Sequence, residues 1–200
     1  TRNLTPGELL TQLNHYNDLV RHDALRGLAE VIGQHGTSVL PHAAAIVERT
    51  GALAEDSSRR VRLAAHGVLR GIVPLLEANG MIAAHEQSLT LRLQSLLSHP
   101  DAGIRVDGLP LLQLMLQQCP ASLAPPPKQL IGCLADLLGG TEQPSSRVRP
   151  IAILEGRVAT MGAIRALMRA QQHPGGGGGG EGEGCAGECG RTAWLAPTAA

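Results

Sequence analysis

The stretch Leu19-Val20-Arg21-His22-Asp23-Ala24-Leu25-Arg26-Gly27-Leu28 returns twice further along the chain, as Arg60-Val61-Arg62-Leu63-Ala64-Ala65-His66-Gly67-Val68-Leu69 and as Gly103-Ile104-Arg105-Val106-Asp107-Gly108-Leu109-Pro110-Leu111-Leu112. The shared register is Val20/Val61/Ile104, Arg21/Arg62/Arg105, Ala24/Ala65/Gly108 and Leu28/Leu69/Leu112, so the copies are offset by 41 and then 43 residues. Positions four and eight apart share one face of a helix. There the β-branched residue and the Leu bury, and the small residue between them lets a neighbouring helix come close. A fourth, weaker copy starts with Val148, Arg149 and Ala152, with Gly156 in place of the Leu. Pro150 fits it only in a first helical turn.

Turn formers precede each motif, at Asn14 to Asp18, Glu55 to Arg59 and Ser98 to Ala102. Amphipathic stretches near 38–54, 82–98 and 127–139 supply the other helix of each pair. At the start, Thr5, Pro6 and Glu8 form a capping-box pattern, which predicts a first helix near residues 5–14. Val158, Met161, Ile164, Leu167 and Met168 predict a last helix over 157–172. Helix pairs repeating at about 40–47 residues have the HEAT and armadillo period. One pair cannot bury its own apolar face, so a stack is the folding unit. The expected fold is all-α: an α-solenoid of three to four HEAT/armadillo-like pairs over residues 1–172, followed by a disordered Gly-rich tail over 173–200. That tail opens on Pro174 and a glycine run from 175 to 180, and it holds too little apolar surface to offset its ordering entropy.

Composition agrees with helices. Apolar residues make up 43% of the chain, yet Phe is absent and Tyr16 and Trp194 are single. The core must be built from Leu, Ile, Val and Ala, without the aromatics on which sheets draw. The 17 basic and 17 acidic groups balance, so no whole-molecule field pulls the chain toward nucleic acid or lipid. No apolar run approaches the roughly 18 residues of a membrane span. The four cysteines, Cys119, Cys133, Cys185 and Cys189, are too few and too irregularly spaced for a secreted disulfide framework, and a reducing compartment is expected. The chain opens on Thr1 without Met and reads as a fragment or an incomplete gene model, so the lack of a targeting segment carries no information.

Nothing in the sequence asks for catalysis or a cofactor. The eight histidines are dispersed without a His-x-x-x-His pair, and zinc needs three or four convergent ligands. Cys185 and Cys189 form a lone pair, the glycine run lacks the Lys and Ser/Thr of a phosphate loop, and no nucleophile elbow occurs. The protein is expected not to be an enzyme.

Two basic features stand out. Arg59, Arg60 and Arg62 open a helix, where their charge opposes the helix dipole. Pairing with Glu55, Asp56 or a neighbouring repeat's acid is the favoured reading, and contact with a partner or RNA phosphate is the other. Arg147, Arg149, Arg157, Arg165 and Arg169 face only Glu155, which makes this stretch a candidate contact for an acidic partner or rRNA. Aromatic stacking platforms are missing, which argues against sequence-specific single-strand recognition.

Leu9-Leu10-Thr11-Gln12-Leu13-Asn14-His15-Tyr16-Asn17, followed by Val20-Arg21, Ala24-Leu25 and Gly27-Leu28, resembles the N-terminal region of the testis-expressed protein ten family, whose fungal relative is a pre-rRNA-processing subunit of a Rix-type complex. Val61-Arg62-Leu63-Ala64-Ala65 and the stretch from Gly103-Ile104 to Cys119-Pro120-Ala121 continue the likeness, which covers residues 5–123 well and 124–170 loosely. The resemblance implies a scaffold of the nucleus, in nucleolus and nucleoplasm, for processing the second internal transcribed spacer and maturing the large ribosomal subunit. The partners it implies are a WD-repeat propeller subunit, a large helical-repeat subunit, an AAA-type remodelling ATPase reached indirectly, and the large-subunit precursor with its rRNA. Some members join a SUMO-protease complex linked to transcription. Members of that family are much longer than this chain, and its Gly-rich ending departs from them. A generic HEAT/armadillo adaptor in transport or chromatin regulation is the alternative. At the first turn, Tyr16 is expected to pack against the next repeat and Asn17 to shape the turn; the other reading puts His15 and Tyr16 on a partner-binding edge.

Overall fold

The computed structural model describes residues 4–119, 123, 128–139, 158, 160–162, 164, 165 and 168. Every regular element among them is helical. They are α1 (Pro6–Gln12), α2 (Asp18–His35), a 3-10 segment (Gly36–His42) leading into α3 (Ala43–Leu53), α4 (Arg59–Ala78), a short 3-10 turn (Ile82–Ala84) before α5 (Glu86–Leu97), α6 (Ala102–Gln118) and α7 (Lys128–Gly139). Val158, Thr160 to Gly162, Ile164, Arg165 and Met168 are helical as well. The weak fourth motif, the Pro125–Pro127 break and the expected tail over 173–200 lie outside the described residues.

The helices pack as neighbours in two rows. Within each pair α1 lies on α2, α3 on α4 and α5 on α6, while α2 packs on α4 and α4 on α6 along one row, and α1 on α3, α3 on α5 and α5 on α7 along the other. The motif positions explain this order. Leu28, Leu69 and Leu112 are fully buried, as are Ala65 and Val61, with Ala24 nearly so. Gly108 stands where the other copies have Ala, and a Cβ there would meet the Leu96 Cβ at 3.1 Å. α5 and α6 therefore approach more closely than a larger residue would allow. The core is one continuous cluster of Leu, Ile, Val and Ala, with Met115 and Cys119, from Leu9 to Leu134.

The start of α1 forms as its pattern demands. The Thr5 N–H donates to Glu8 Oε2 at 2.7 Å and the Glu8 N–H donates back to Thr5 Oγ1 at 3.4 Å. The Thr5 backbone and hydroxyl together hold the Glu8 carboxyl below its ordinary range.

The turns before α2, α4 and α6 share one construction. Six residues before the motif Arg stands a side-chain acceptor that takes the backbone N–H two residues on: His15 Nδ1 from Asn17 at 3.1 Å, Asp56 Oδ1 from Ser58 at 2.8 Å, and His99 Nδ1 from Asp101 at 3.0 Å. Asn17 and Asp101 then cap their helices, accepting from the N–H groups of Leu19 and Gly103. The Ser58 hydroxyl instead donates to Asp18 Oδ2 at 2.9 Å, tying the second turn to the first. This bond, with the Arg60 charge as a smaller aid, holds the Asp18 carboxyl below its ordinary range.

Because Asp fills at position 56 the role that His fills at 99, His99→Asp is expected to leave stability within about 0.5 kcal/mol of the parent, whereas His99→Ala loses the acceptor and falls by about 1 kcal/mol. Urea denaturation followed by circular dichroism checks both, and an equal loss in the two variants would show that the acceptor does not matter.

Candidate functional site

Each motif Arg reaches back over its turn. Arg21 Nη1 donates to the carbonyls of His15 and Tyr16 at 2.8 and 3.0 Å, Arg62 Nη1 to those of Asp56 and Ser57 at 2.8 and 3.2 Å, and Arg105 Nη1 to those of His99 and Pro100 at 2.7 and 3.0 Å. These carbonyls end the preceding helix or its turn and have no partner in a helical ladder. The guanidinium fork fits two of them at once. In the first two copies the remaining nitrogens cross to the next pair. Arg21 Nε and Nη2 each donate to Asp56 at 2.9 Å, and Arg62 Nε and Nη2 donate to Asp107 Oδ2 at 3.0 and 2.8 Å.

Arg59 and Arg60 extend this network outward. Arg59 Nε reaches Asp107 Oδ1 at 3.3 Å with its side chain 70% exposed, and Arg60 Nε lies 4.0 Å from Asp18 with 58% exposed. The pairing expected for the arginines at the start of α4 is thus present. For Arg59 and Arg60 the acids belong to neighbouring pairs rather than to their own turn. Asp107 is the centre of it, only 4% exposed and shared between Arg62 and Arg59.

The first turn departs from expectation at Tyr16. Asn17 shapes the turn as expected, but Tyr16 does not pack against the next repeat. It is 90% exposed, stacked on the His15 ring with centroids 4.4 Å apart and planes at 30°. The physical reason is that Arg21 secures the Tyr16 carbonyl, so the backbone of the turn is held without its side chain. His15 and Tyr16 in the turn before α2, and Arg59 and Arg60 at the start of α4, lie along one edge of the two rows, where Asp18 at the start of α2 contacts Ser58 and Arg60. Leu19 and Leu63, about half exposed, flank them.

The more C-terminal basic candidates are not brought to that edge by anything described. Arg165 is exposed, while Arg157 and Arg169 lie outside the described residues. Sequence reading missed Asp107 as a hub, although a buried acid amid a Leu-rich helix was a visible signal. It also missed the repeated acceptor at His15, Asp56 and His99, because His and Asp share a function there and not a type.

A second buried polar group lies beside the network. His66, 6% exposed, has no hydrogen-bond partner at either ring nitrogen among the described residues. It lines a small cavity with Leu69, Arg70, Pro110, Leu111 and Leu114. Burial pushes its pKa down to about 4; nearby Asp107 opposes this, and Arg70 and Arg62 add to it. At the other end of the rows a groove of about 300 Å³ runs between α1 and α2, with Leu4, Leu9, Gly27 and Val31 among its lining and Asp23, Arg26 and Glu30 beside them. Among the described residues no cluster of three His, Cys, Asp or Glu could hold a metal ion, and no helix is long and apolar enough to cross a membrane.

No family model matches the chain. Over 137 residues it is 29% identical to the testis-expressed protein 10 homolog of Danio rerio, a match covering 68% of this chain and 15% of that protein. The similarity is distant. The chain spans about 15% of the length of the curated relative it matches. Among solved structures, an engineered protein from the Northeast Structural Genomics Consortium aligns with a TM-score of 0.50 at 17% identity, covering 82% of this chain and 67% of that one. That likeness concerns the fold alone.

Two outcomes test this geometry. Asp107→Ala leaves the Arg62 guanidinium buried without its carboxylate and is expected to cost about 3 kcal/mol, whereas Arg59→Ala, on the exposed arm, costs under about 1 kcal/mol. Equal costs in urea denaturation would remove Asp107 from the centre. For His66 the folded pKa lies below the unfolded value, so the unfolded chain binds more protons and stability falls as pH drops from about 6.5 to about 4. His66→Leu is expected to flatten that part of the stability profile, and an unchanged slope would rule His66 out as its source.

Proposed function

We propose that this chain is a non-enzymatic scaffold: a HEAT/armadillo-type solenoid of three to four helix pairs that serves a nuclear complex for pre-rRNA processing at the second internal transcribed spacer and for large ribosomal subunit maturation. The observation that carries the reading is the 29% identity to the testis-expressed protein 10 homolog across 68% of the chain. The 41- and 43-residue offsets support the repeat architecture, and so do helices that pack in two rows. Such a stack offers a long surface for distributed contacts. The partners in this reading are a WD-repeat propeller subunit and a large helical-repeat subunit, with an AAA-type ATPase reached through them and the large-subunit precursor as cargo. Its place is the nucleus, in nucleolus and nucleoplasm.

Affinity purification of the tagged chain from nuclear extract, read by mass spectrometry and by hybridisation to spacer RNA, tests the proposal. A WD-repeat partner and large-subunit precursors are expected to co-purify. Recovery alone would sink it, and a pulldown dominated by transport cargo or chromatin subunits would favour the generic adaptor instead.

A further inference from the structure

We propose that the edge formed by Tyr16, Leu19, Arg59, Arg60 and Leu63 docks an acidic segment of a partner protein, which lays an apolar side chain on Tyr16 and Leu19 and its carboxylates on Arg59 and Arg60.

Charge supplies the first part of the argument. The ion network along this edge joins four guanidiniums, Arg21, Arg59, Arg60 and Arg62, to three carboxylates, Asp18, Asp56 and Asp107. One positive charge is left over, and it resides where the cations are exposed. Arg21 and Arg62 are held on two sides by carbonyls and carboxylates, whereas among the described residues Arg59 and Arg60 are each held only at Nε, by one longer contact. Their side chains are 70% and 58% exposed, and a guanidinium that is free at its terminal nitrogens can take a carboxylate in a bidentate pair.

Apolar exposure supplies the second. Tyr16 stands 90% exposed on a turn whose backbone is already secured by Arg21, so its exposure does nothing for the turn. His15 covers one face of the ring and leaves the other open. Leu19 is 50% and Leu63 49% exposed. On α4, Leu63 follows Arg60 by three residues and Arg59 by four, so cations and apolar group share a helical face. The Ser58–Asp18 bond and the Arg60–Asp18 contact hold the start of α2 beside the start of α4. Tyr and Arg side by side, flanked by aliphatics, are the residues that most often anchor protein interfaces.

The same edge disfavours other occupants. A second copy would set Arg59 and Arg60 against their own counterparts. RNA would bring phosphates onto Asp18, whose carboxylate is 41% exposed beside Arg60, and would find no use for Leu19 and Leu63. An acidic protein segment with an apolar anchor matches both halves of the surface. This docking stands whether or not the complex served is the pre-ribosomal one.

The test uses the full chain and fluorescence anisotropy with three labelled probes: a Glu/Asp-rich peptide carrying a central Leu-Leu pair, the same peptide with Lys in place of the acids, and an oligouridine RNA. The acidic peptide is expected to bind saturably and to weaken as salt rises. Reversal by Arg59→Glu with Arg60→Glu is expected to lower affinity at least about tenfold. Tyr16→Ala, at an exposed site outside the ion network, is expected to lower it about fivefold or more, with unchanged helical circular dichroism. Glu77→Gln, at the opposite end of α4, should bind as the parent does. A parent that does not prefer the acidic peptide, RNA that displaces it, or a Tyr16→Ala variant of parental affinity would each overturn the proposal.

Discussion

The hydrogen bonds from Arg21, Arg62 and Arg105 to the carbonyls of their own turns are the constraint on which the described architecture rests. A turn between two packed helices strands carbonyls that no ladder satisfies, and each would be costly if left dry. One guanidinium per turn answers for two of them. Since Arg21 and Arg62 also grip an acid of the next pair, fixing a turn and fixing the spacing between pairs become one event. The regular register of the motifs follows from that coupling.

The apolar interior works under a different constraint. Without Phe, it lacks large rigid fillers, and close contact must come from small residues that let helices approach. Gly27, where a Cβ would meet the Leu9 side chain at 3.0 Å, Gly108 against Leu96, and Gly71, where a Cβ would meet the Ile32 side chain at 3.2 Å, are places where helices come this close. His66, buried with no hydrogen-bond partner at either ring nitrogen among the described residues, departs from this economy as a neutral imidazole held where an aliphatic side chain would pack at less cost.

Much of the helical order was legible in the sequence because the periodicity of Ala24 and Leu28, repeated at 65 and 69 and at 108 and 112, reports burial directly; the β-branched position buries at Val61 and Ile104 but only partly at Val20, in the first copy. The capping box at Thr5 and Glu8 was legible for the same reason: its residue types allow little else. Boundaries were less so. Gly36–His42 forms a 3-10 segment where a continuous helix from 38 was expected, since Pro41 cannot donate to a helical ladder. At the candidate edge, the arginines at 59 and 60 were visible as a charge conflict, but their partners lie 42 and more residues away and no local pattern marks them. Tyr16 was misjudged because a lone aromatic beside a turn ordinarily packs, and the Arg21 bonds that release it are tertiary.

The groove beside α1 and α2 carries a consequence for concentrated solutions. Where α4 sets Gly71 against Ile32 of α2, the corresponding position of α2 is Glu30, which borders the groove together with Arg26. Charged side chains at these positions resist the tight apolar seam that α4 makes with α2. Molecules meeting at this groove would have to strip water from both charges before any apolar contact formed, so the groove resists self-association through its apolar lining.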